Sequence, residues 1–352
     1  MRMIDCDVLV VGVGPGGAAA ARATAAAGLR TLAVDKRTEI GLPVQCAEFV
    51  PMPLMRTVHE TLSRVQEVSG MLTFLPSGSS EHSEFPGLMI DRARFDQGLA
   101  QMAEDAGAEL WRQTQFRSWD GEIAQIQHQG EMIAVRPRFL LGADGPHSAV
   151  AAALGLPDQA VVFTRQYTVP LLQPYQDTDI FLSDAFPGGY AWLFPRGPVA
   201  NLGLGADRRF ESNLKAPLAT LHEQMQGRGI VGAEILGRTG GAIPVGGIRP
   251  MVHDRALLLG DAAGLTHPIT GAGIPAAVIS GAAAGEAADA WLAGDGDALE
   301  EYAEDMTDQF GPALQRAVQR RSALEAVWRK PAAQEDRVMR SGWIAFEEYF
   351  AA

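Results

Sequence analysis

The sequence predicts an α/β chain in which a parallel, dinucleotide-type domain is interlocked with a mostly antiparallel second sheet and followed by a C-terminal helical segment. Three observations predict it. The β-branched run from Asp7 to Val11 ends in Gly12-Val13-Gly14-Pro15-Gly16-Gly17 and leads into an alanine-rich stretch, which is strand, tight turn and helix in that order. Two later apolar runs also end in glycine and acid, at Gly142-Ala143-Asp144-Gly145 and at Gly260-Asp261-Ala262-Ala263-Gly264. Between about Val161 and Gly247 the pattern changes to short alternating strands parted by proline and glycine turns.

Taken in order, Ala18 to Ala27 reads as a helix stopped by Gly28, and Thr31 to Val34 as a second buried strand closing on Asp35. That completes a βαβ unit with a right-handed crossover. From Gly41 to about Leu88 the helical pattern fades, and Pro43, Pro51, Pro53, Pro76 and Pro86 mark an excursion from the first sheet. Arg92 to Ala106 returns to helix, with Phe95, Leu99, Met102 and Ala106 on one face and Gly107 ending it. Phe139 to Gly142 and Arg255 to Leu259 read as further strands of the first kind. Tyr167 to Val169, Ile180 to Leu182, Tyr190 to Phe194 and Asn201 to Leu204 build the second sheet. An Ala/Gly-rich helix follows Gly273, and the charged tail from Leu299 is helical in pattern, with Pro312 and Pro331 as expected breaks.

At 352 residues the chain exceeds the size at which single cores divide, so two domains are expected. Its net charge of −13 argues against a nucleic-acid partner, because phosphate backbones are bound by Lys/Arg clusters. Cys6 and Cys46 are the only cysteines, too few for a disulfide framework and without metal-site spacing, so no metal is expected and a reducing cytoplasm fits best. No signal peptide is evident at the N-terminus. The apolar stretch from Ala272 to Ala293 contains Glu286 and Asp289 and is built from small residues, so no transmembrane segment is expected; peripheral membrane contact remains open.

Gly12, Gly14 and Gly17 match GxGxxG in the strand-to-helix context the motif requires. Gly12 permits the turn, Gly14 lets a pyrophosphate approach and Gly17 lets helix and strand pack, while Pro15 and Gly16 open the helix whose N-terminus faces the phosphates. Asp35, with its neighbour Lys36, sits where ribose hydroxyls are bound. By itself this unit fits NAD as well as FAD.

The remaining motifs carry a resemblance. Gly41-Leu42-Pro43 with Cys46, Arg92-x-x-Phe95-Asp96, Gly142-Ala143-Asp144-Gly145-Pro146-x-Ser148, Gly189-Tyr190-x-Trp192-x-Phe194-Pro195, and Gly260-Asp261-Ala262-Ala263-Gly264-x-x-x-Pro268-x-x-Gly271-x-Gly273-Ile274 resemble the geranylgeranyl reductase family. That family belongs to the flavoprotein class that includes p-hydroxybenzoate hydroxylase. The resemblance runs from residue 4 to about 295. It implies a Rossmann-like FAD-binding domain of GR2 type over 1–60, 88–158 and 248–298, a substrate-binding sheet over 61–87 and 159–247, and a helical segment over 299–352. It also implies that Asp261 contacts the ribityl and pyrophosphate side of FAD, that Gly271 to Ile274 lie against the isoalloxazine, and that Arg92, with Arg94 as its adjacent competitor, braces the cofactor. Gly260 and Asp144 hold the neighbouring loops. A helix opening at Gly273 would favour the anionic reduced ring, in agreement.

Cys46 is open between two roles. The family's cysteine at this loop is followed by Gly-Glu, here replaced by Ala47-Glu48, so Cys46 is either a substrate-face residue near the flavin or a small packed hydrophobe. Tyr190, Trp192 and Phe194 alternate and so share one face, either roofing the flavin over an apolar or aromatic substrate or forming ordinary core. Trp192 is the substrate-face candidate among them. His267 is the candidate proton donor by position, against a structural role beside a Gly/Pro loop.

With no second GxGxxG after a strand, electrons are expected from transiently docked NAD(P)H or another carrier. The leading function is reduction of C=C bonds in an isoprenoid or similar apolar substrate. The alternatives are a flavin-dependent monooxygenase acting on an aromatic small molecule or a peptide side chain, and a non-catalytic flavin-binding partner. The short tail implies a short, open tunnel, a small substrate, or one presented by a partner protein.

Overall fold

In the computed structural model, which describes residues 2–351, strand Arg2–Val11 lies at the middle of the first sheet. Strands Thr31–Val34 and Glu131–Gly142 flank it, both parallel to it. Helix Pro15–Ala26 makes the crossover that parallel pairing demands. The sheet extends to Glu109–Trp111 on one side and Ala256–Leu258 on the other, with Val252–His253 antiparallel at that edge. A hairpin of Thr114–Trp119 and Ala124–His128 joins through Glu131–Gly142. Val8, Leu9 and Val10 are wholly buried, because a parallel sheet is covered on both faces.

The Ala/Gly composition of helix Ile274–Leu292 has a packing cause. A Cβ placed on Gly281 would stand 2.1 Å from the Gly16 carbonyl oxygen, so this helix and Pro15–Ala26 touch backbone to backbone. Among the described residues no helix is long and apolar enough to cross a membrane.

The second sheet runs in the order Gly237–Thr239, Val161–Pro170, Val199–Ala206, Ala191–Arg196, Thr178–Phe181, Arg64–Phe74, Ser80–Ile90, Phe49–Pro51, with Ala242–Pro244 also on Val161–Pro170. Every pairing is antiparallel except Thr178–Phe181 on Arg64–Phe74. The proline-marked excursion therefore holds two long strands. Pro76 falls in their turn, and Pro86 sits in a bulge where Phe85 and Pro86 oppose Ser69 alone, a place where a missing N–H is tolerated. Phe49–Pro51 pairs in the second sheet although the sequence placed residues up to 60 with the first, and Ser80–Ile90 likewise runs past 87.

Alternation sorts the strand Ala191–Arg196 as expected. Ala191 and Leu193 pack with Leu202, Leu204 and helix Lys215–Gly227, whereas Tyr190, Trp192 and Phe194 pack with Met339, Trp343 and Phe346 of the C-terminal segment. Helix Ala298–Glu325 passes through Pro312, correcting the expected break: Met306, Leu314 and Ala317 anchor it on both sides of the proline. Beyond it, Pro331–Gln334, Asp336–Ser341 and Glu347–Phe350 are single turns that only tertiary packing can hold.

Candidate functional site

Three loops meet at the carboxyl end of the first sheet. Gly12 has φ +94°, and a Cβ there would lie 2.4 Å from the Ala143 carbonyl oxygen; one on Gly17 would lie 1.8 Å from the Gly12 oxygen. Both glycines are fixed by close approach. Gly14, by contrast, has nothing within 4 Å of a Cβ, and it is the N-cap of helix Pro15–Ala26 without a side-chain cap. Pro15 costs the helix no donor in its first turn. An open cradle under uncapped N–H groups fits the pyrophosphate of FAD.

Asp35 is buried and braces that loop, accepting hydrogen bonds from the Val13 amide at 2.9 Å and the Arg37 amide at 2.8 Å. Lys36 beside it is exposed. Asp144 accepts from the Ser148 hydroxyl at 2.5 Å and from the amides of Ala149 and Val150, so it caps the short helix Ala149–Ala153. Burial raises its pKa against those donors.

Gly260–Ala263 forms a 3₁₀ turn that brings Asp261 beside Thr266, whose hydroxyl donates to its carboxylate. Burial raises the Asp261 pKa, while Thr266 and the positive charge of Arg92 work against the rise. A Cβ on Gly273 would come within 2.7 Å of the Thr266 hydroxyl and 3.1 Å of an Asp261 oxygen, so the chain entering helix Ile274–Leu292 must be glycine there. Gly271, with φ +72°, lies two residues before that approach. This second helix start, like the first, has no side-chain cap. The two are neighbours, since a Cβ on Gly16 would be 2.9 Å from the Ala277 oxygen.

Arg92 points its guanidinium at Asp96, with bonds of 2.9 and 3.0 Å. Burial opposes its charge, but Asp96 and the Cys46 sulfur raise its pKa overall. Cys46 is half-buried, and its sulfur accepts from the Glu48 amide at 3.2 Å. The replacement of glycine by Ala47 is harmless to this loop, because the residue with positive φ is Glu48, at +71°. Glu48 is also the residue sequence reasoning passed over. Its buried carboxylate accepts from the Arg92 amide at 3.0 Å and from Asn201 at 2.9 Å, and it lies 3.0 Å from the Arg196 Nε. One acid thus ties helix Arg92–Asp105 to two strands of the second sheet.

Above these loops, Thr164, Tyr190, Trp192, Ile243, Ile269 and Gly271 line a cavity. Trp192 donates to Gln166 at 3.1 Å, and Gln166 donates to the Cys46 carbonyl at 3.2 Å. Tyr190 donates to the Thr270 carbonyl at 2.6 Å and meets the edge of Trp343 with ring centres 4.8 Å apart. His267 does not face this cavity with a free proton. Its Nδ1 accepts from the amides of Ile269 and Thr270 at 3.3 and 3.2 Å, and its Nε2 is 3.4 Å from the Tyr349 hydroxyl. Burial lowers its pKa to about 4, leaving it neutral. That geometry assigns His267 to bracing the loop, and corrects the proton-donor role expected from its position. Gln166, Thr266, Trp343 and Tyr349 were not singled out in the sequence, because each is brought to the site from a strand, loop or tail that carries no motif.

Comparisons with known proteins bear on the cofactor, the fold and the family. A family model described as FAD binding domain matches residues 48–185. The chain is 35% identical over 303 residues to a digeranylgeranylglycerophospholipid reductase of Thermoplasma volcanium, covering 78% of this chain and 76% of that one. It is 34% identical over 306 residues to digeranylgeranylglycerophospholipid reductase 1 of Methanopyrus kandleri, covering 81% and 80%. A crystal structure of a geranylgeranyl bacteriochlorophyll reductase-like protein from Thermoplasma acidophilum superposes with TM-score 0.80 at 28% identity, covering 95% of this chain and 92% of that one. The flavin-dependent halogenase CmlS shares the fold, with TM-score 0.74 at 15% identity over 98% of this chain and 68% of that one. With its cofactor loops, second sheet and relatives in agreement, the chain belongs to the geranylgeranyl reductase family of FAD-dependent oxidoreductases.

Proposed function

We propose that this enzyme reduces C=C bonds of an isoprenoid lipid of the kind its relatives' names describe. The observation that carries the reading is the mostly apolar lining of Tyr190, Trp192, Ile243 and Ile269 around a water-sized cavity of about 20 Å³ that Gly271 also borders, and that an isoprenoid chain would have to widen. FAD, once reduced by NAD(P)H or another carrier, supplies the hydride. Gly14, Asp35, Arg92 and Asp261 with the two uncapped helix starts are the residues that hold it, and the aromatic wall holds an isoprenoid against it while excluding water.

The second carbon of the double bond takes a proton. We assign that proton to Cys46, whose sulfur lies beside the Arg92 guanidinium and whose carbonyl accepts from Gln166, the partner of Trp192. Tyr190 is committed to the Thr270 carbonyl and has its pKa raised by burial, so it serves as wall rather than as acid.

The test is anaerobic. Flavin-loaded protein reduced with dithionite is mixed with a geranylgeranyl glycerolipid, and the product is weighed by mass spectrometry. A gain of hydrogen pairs without oxygen is expected. A product formed only after air is admitted, heavier by one oxygen, would make the enzyme a monooxygenase instead.

A further inference from the structure

An arginine cluster on the far face of the second sheet is left without partners. Phe163, Arg165 and Tyr167 lie on one face of strand Val161–Pro170, the face shared with Leu202 and Leu204 and turned away from the cavity. The Arg208 guanidinium stacks 3.5 Å above the Phe163 ring, and that of Arg238, directly across from Tyr167, lies 5.7 Å from the Tyr167 ring. Arg165 stands between the two. Among the described residues none of the three makes an ion pair, and the Arg165 Nε is buried with no hydrogen-bond partner. In a chain whose 42 acids outnumber its 29 bases, and whose other arginines commonly find a carboxylate, three clustered unpaired guanidiniums are unusual.

A buried donor on a charged group with no acceptor is costly, and a ligand that supplies the acceptor removes the cost. Guanidiniums set along one face, with Arg165 between the rings that carry Arg208 and Arg238, match the tetrahedral oxygens of a phosphate, which accept parallel N–H bonds from such forks. We propose that Arg165, Arg208 and Arg238 form a binding site for a phosphomonoester carried by a substrate or co-substrate of this enzyme. The site is separate from the FAD pyrophosphate cradle at Gly14. It lies one sheet thickness from the cavity, since Val162 and Thr164 of the same strand line the cavity from the other face. The aromatic rings beneath Arg208 and Arg238 hold those side chains in place before the ligand arrives.

Two molecules would bring this chemistry: a nicotinamide donor with a 2′-phosphate, or a lipid whose glycerol carries a phosphate. Flavin-loaded protein is titrated calorimetrically with inorganic phosphate, adenosine 2′-monophosphate against adenosine, and glycerol 3-phosphate against glycerol. Phosphate should bind, and binding should weaken at least about tenfold in Arg165→Met, because charge-assisted bonds are lost. Exposed Arg208→Ala serves as the variant that leaves the fold alone and should weaken binding in the same direction. Tight binding of adenosine 2′-monophosphate alone among the organic probes identifies the donor's phosphate. Preference for glycerol 3-phosphate identifies the lipid's. If no phosphate binds, or if the wild type and both variants bind alike, the site does not exist. These readouts need no turnover, so they stand or fall separately from the reductase reading.

Discussion

Around Gly12, Gly17 and Gly281 the first sheet and its helices approach backbone to backbone, whereas around Tyr190, Trp192 and Trp343 the second sheet meets its cover through large aromatic side chains. The two regions fail differently. A backbone contact at 1.8 or 2.1 Å from a Cβ has no flexible atom to move, so one methyl is intolerable. An aromatic wall yields by rotation and repacking, so its sequence is freer while its shape still selects the ligand.

The sharpest way to break this contrast is to place two substitutions three residues apart. Gly17→Ala should destabilise the apoprotein by more than about 4 kcal/mol in urea unfolding, because its Cβ collides with the Gly12 carbonyl. Gly14→Val, into open space, should leave the unfolding midpoint within about 0.5 kcal/mol yet purify colourless. A yellow, fully loaded Gly14→Val protein would remove the pyrophosphate from that cradle.

Glu48 is where the two regions are joined. Glu48→Ala leaves Asn201 and the Arg92 amide without their buried acceptor, while Arg196 keeps Asp91 at 3.4 Å, and should cost roughly 3 kcal/mol, a loss read by chemical unfolding. If it costs nothing, Glu48 is not what joins helix Arg92–Asp105 to the second sheet.

A third probe uses pH. His267 has a folded pKa of about 4 against an ordinary 6.5, so the fold favours its neutral form. The stability this contributes is complete above pH 6.5 and is lost as pH falls toward 4, in total about 3 kcal/mol. Asp179 acts oppositely, its folded pKa of about 6 costing stability as pH rises from 3.8. The difference between wild type and His267→Gln therefore isolates the histidine, and its unfolding free energy should narrow between pH 7 and pH 4. A constant difference would free the ring from the loop.

The smallest expected effect sharpens the catalytic side. Cys46→Ala should keep flavin and fold while turnover drops about 100-fold, as for a lost proton donor. Unchanged turnover would make Cys46 a packed hydrophobe.

How much of this was legible follows from the kind of constraint. The GxGxxG loop, Asp261 and the Gly271 to Ile274 run read directly, since each is a contiguous stretch whose residues act on one another within a few positions. The two long strands hidden in the proline-marked segment did not read, because Pro86 is accommodated by a bulge that exists only when its partner strand is present. His267 misled for the same reason. Its position beside the flavin loop is a sequence fact, whereas the amides of Ile269 and Thr270 that occupy its Nδ1 appear only once the loop has folded.

By itself, then, the sequence determined the cofactor fold and the family, because glycine requirements and strand-to-helix turns are local and leave residue-by-residue marks. Tertiary structure alone decided that Glu48 ties helix Arg92–Asp105 to two strands of the second sheet, that Trp343 and Tyr349 of a tail without motifs pack on Tyr190 and His267, and that Arg165, Arg208 and Arg238 share one face. Those contacts join residues up to 153 positions apart in the case of Glu48 and Asn201, and only the packed chain brings them within reach.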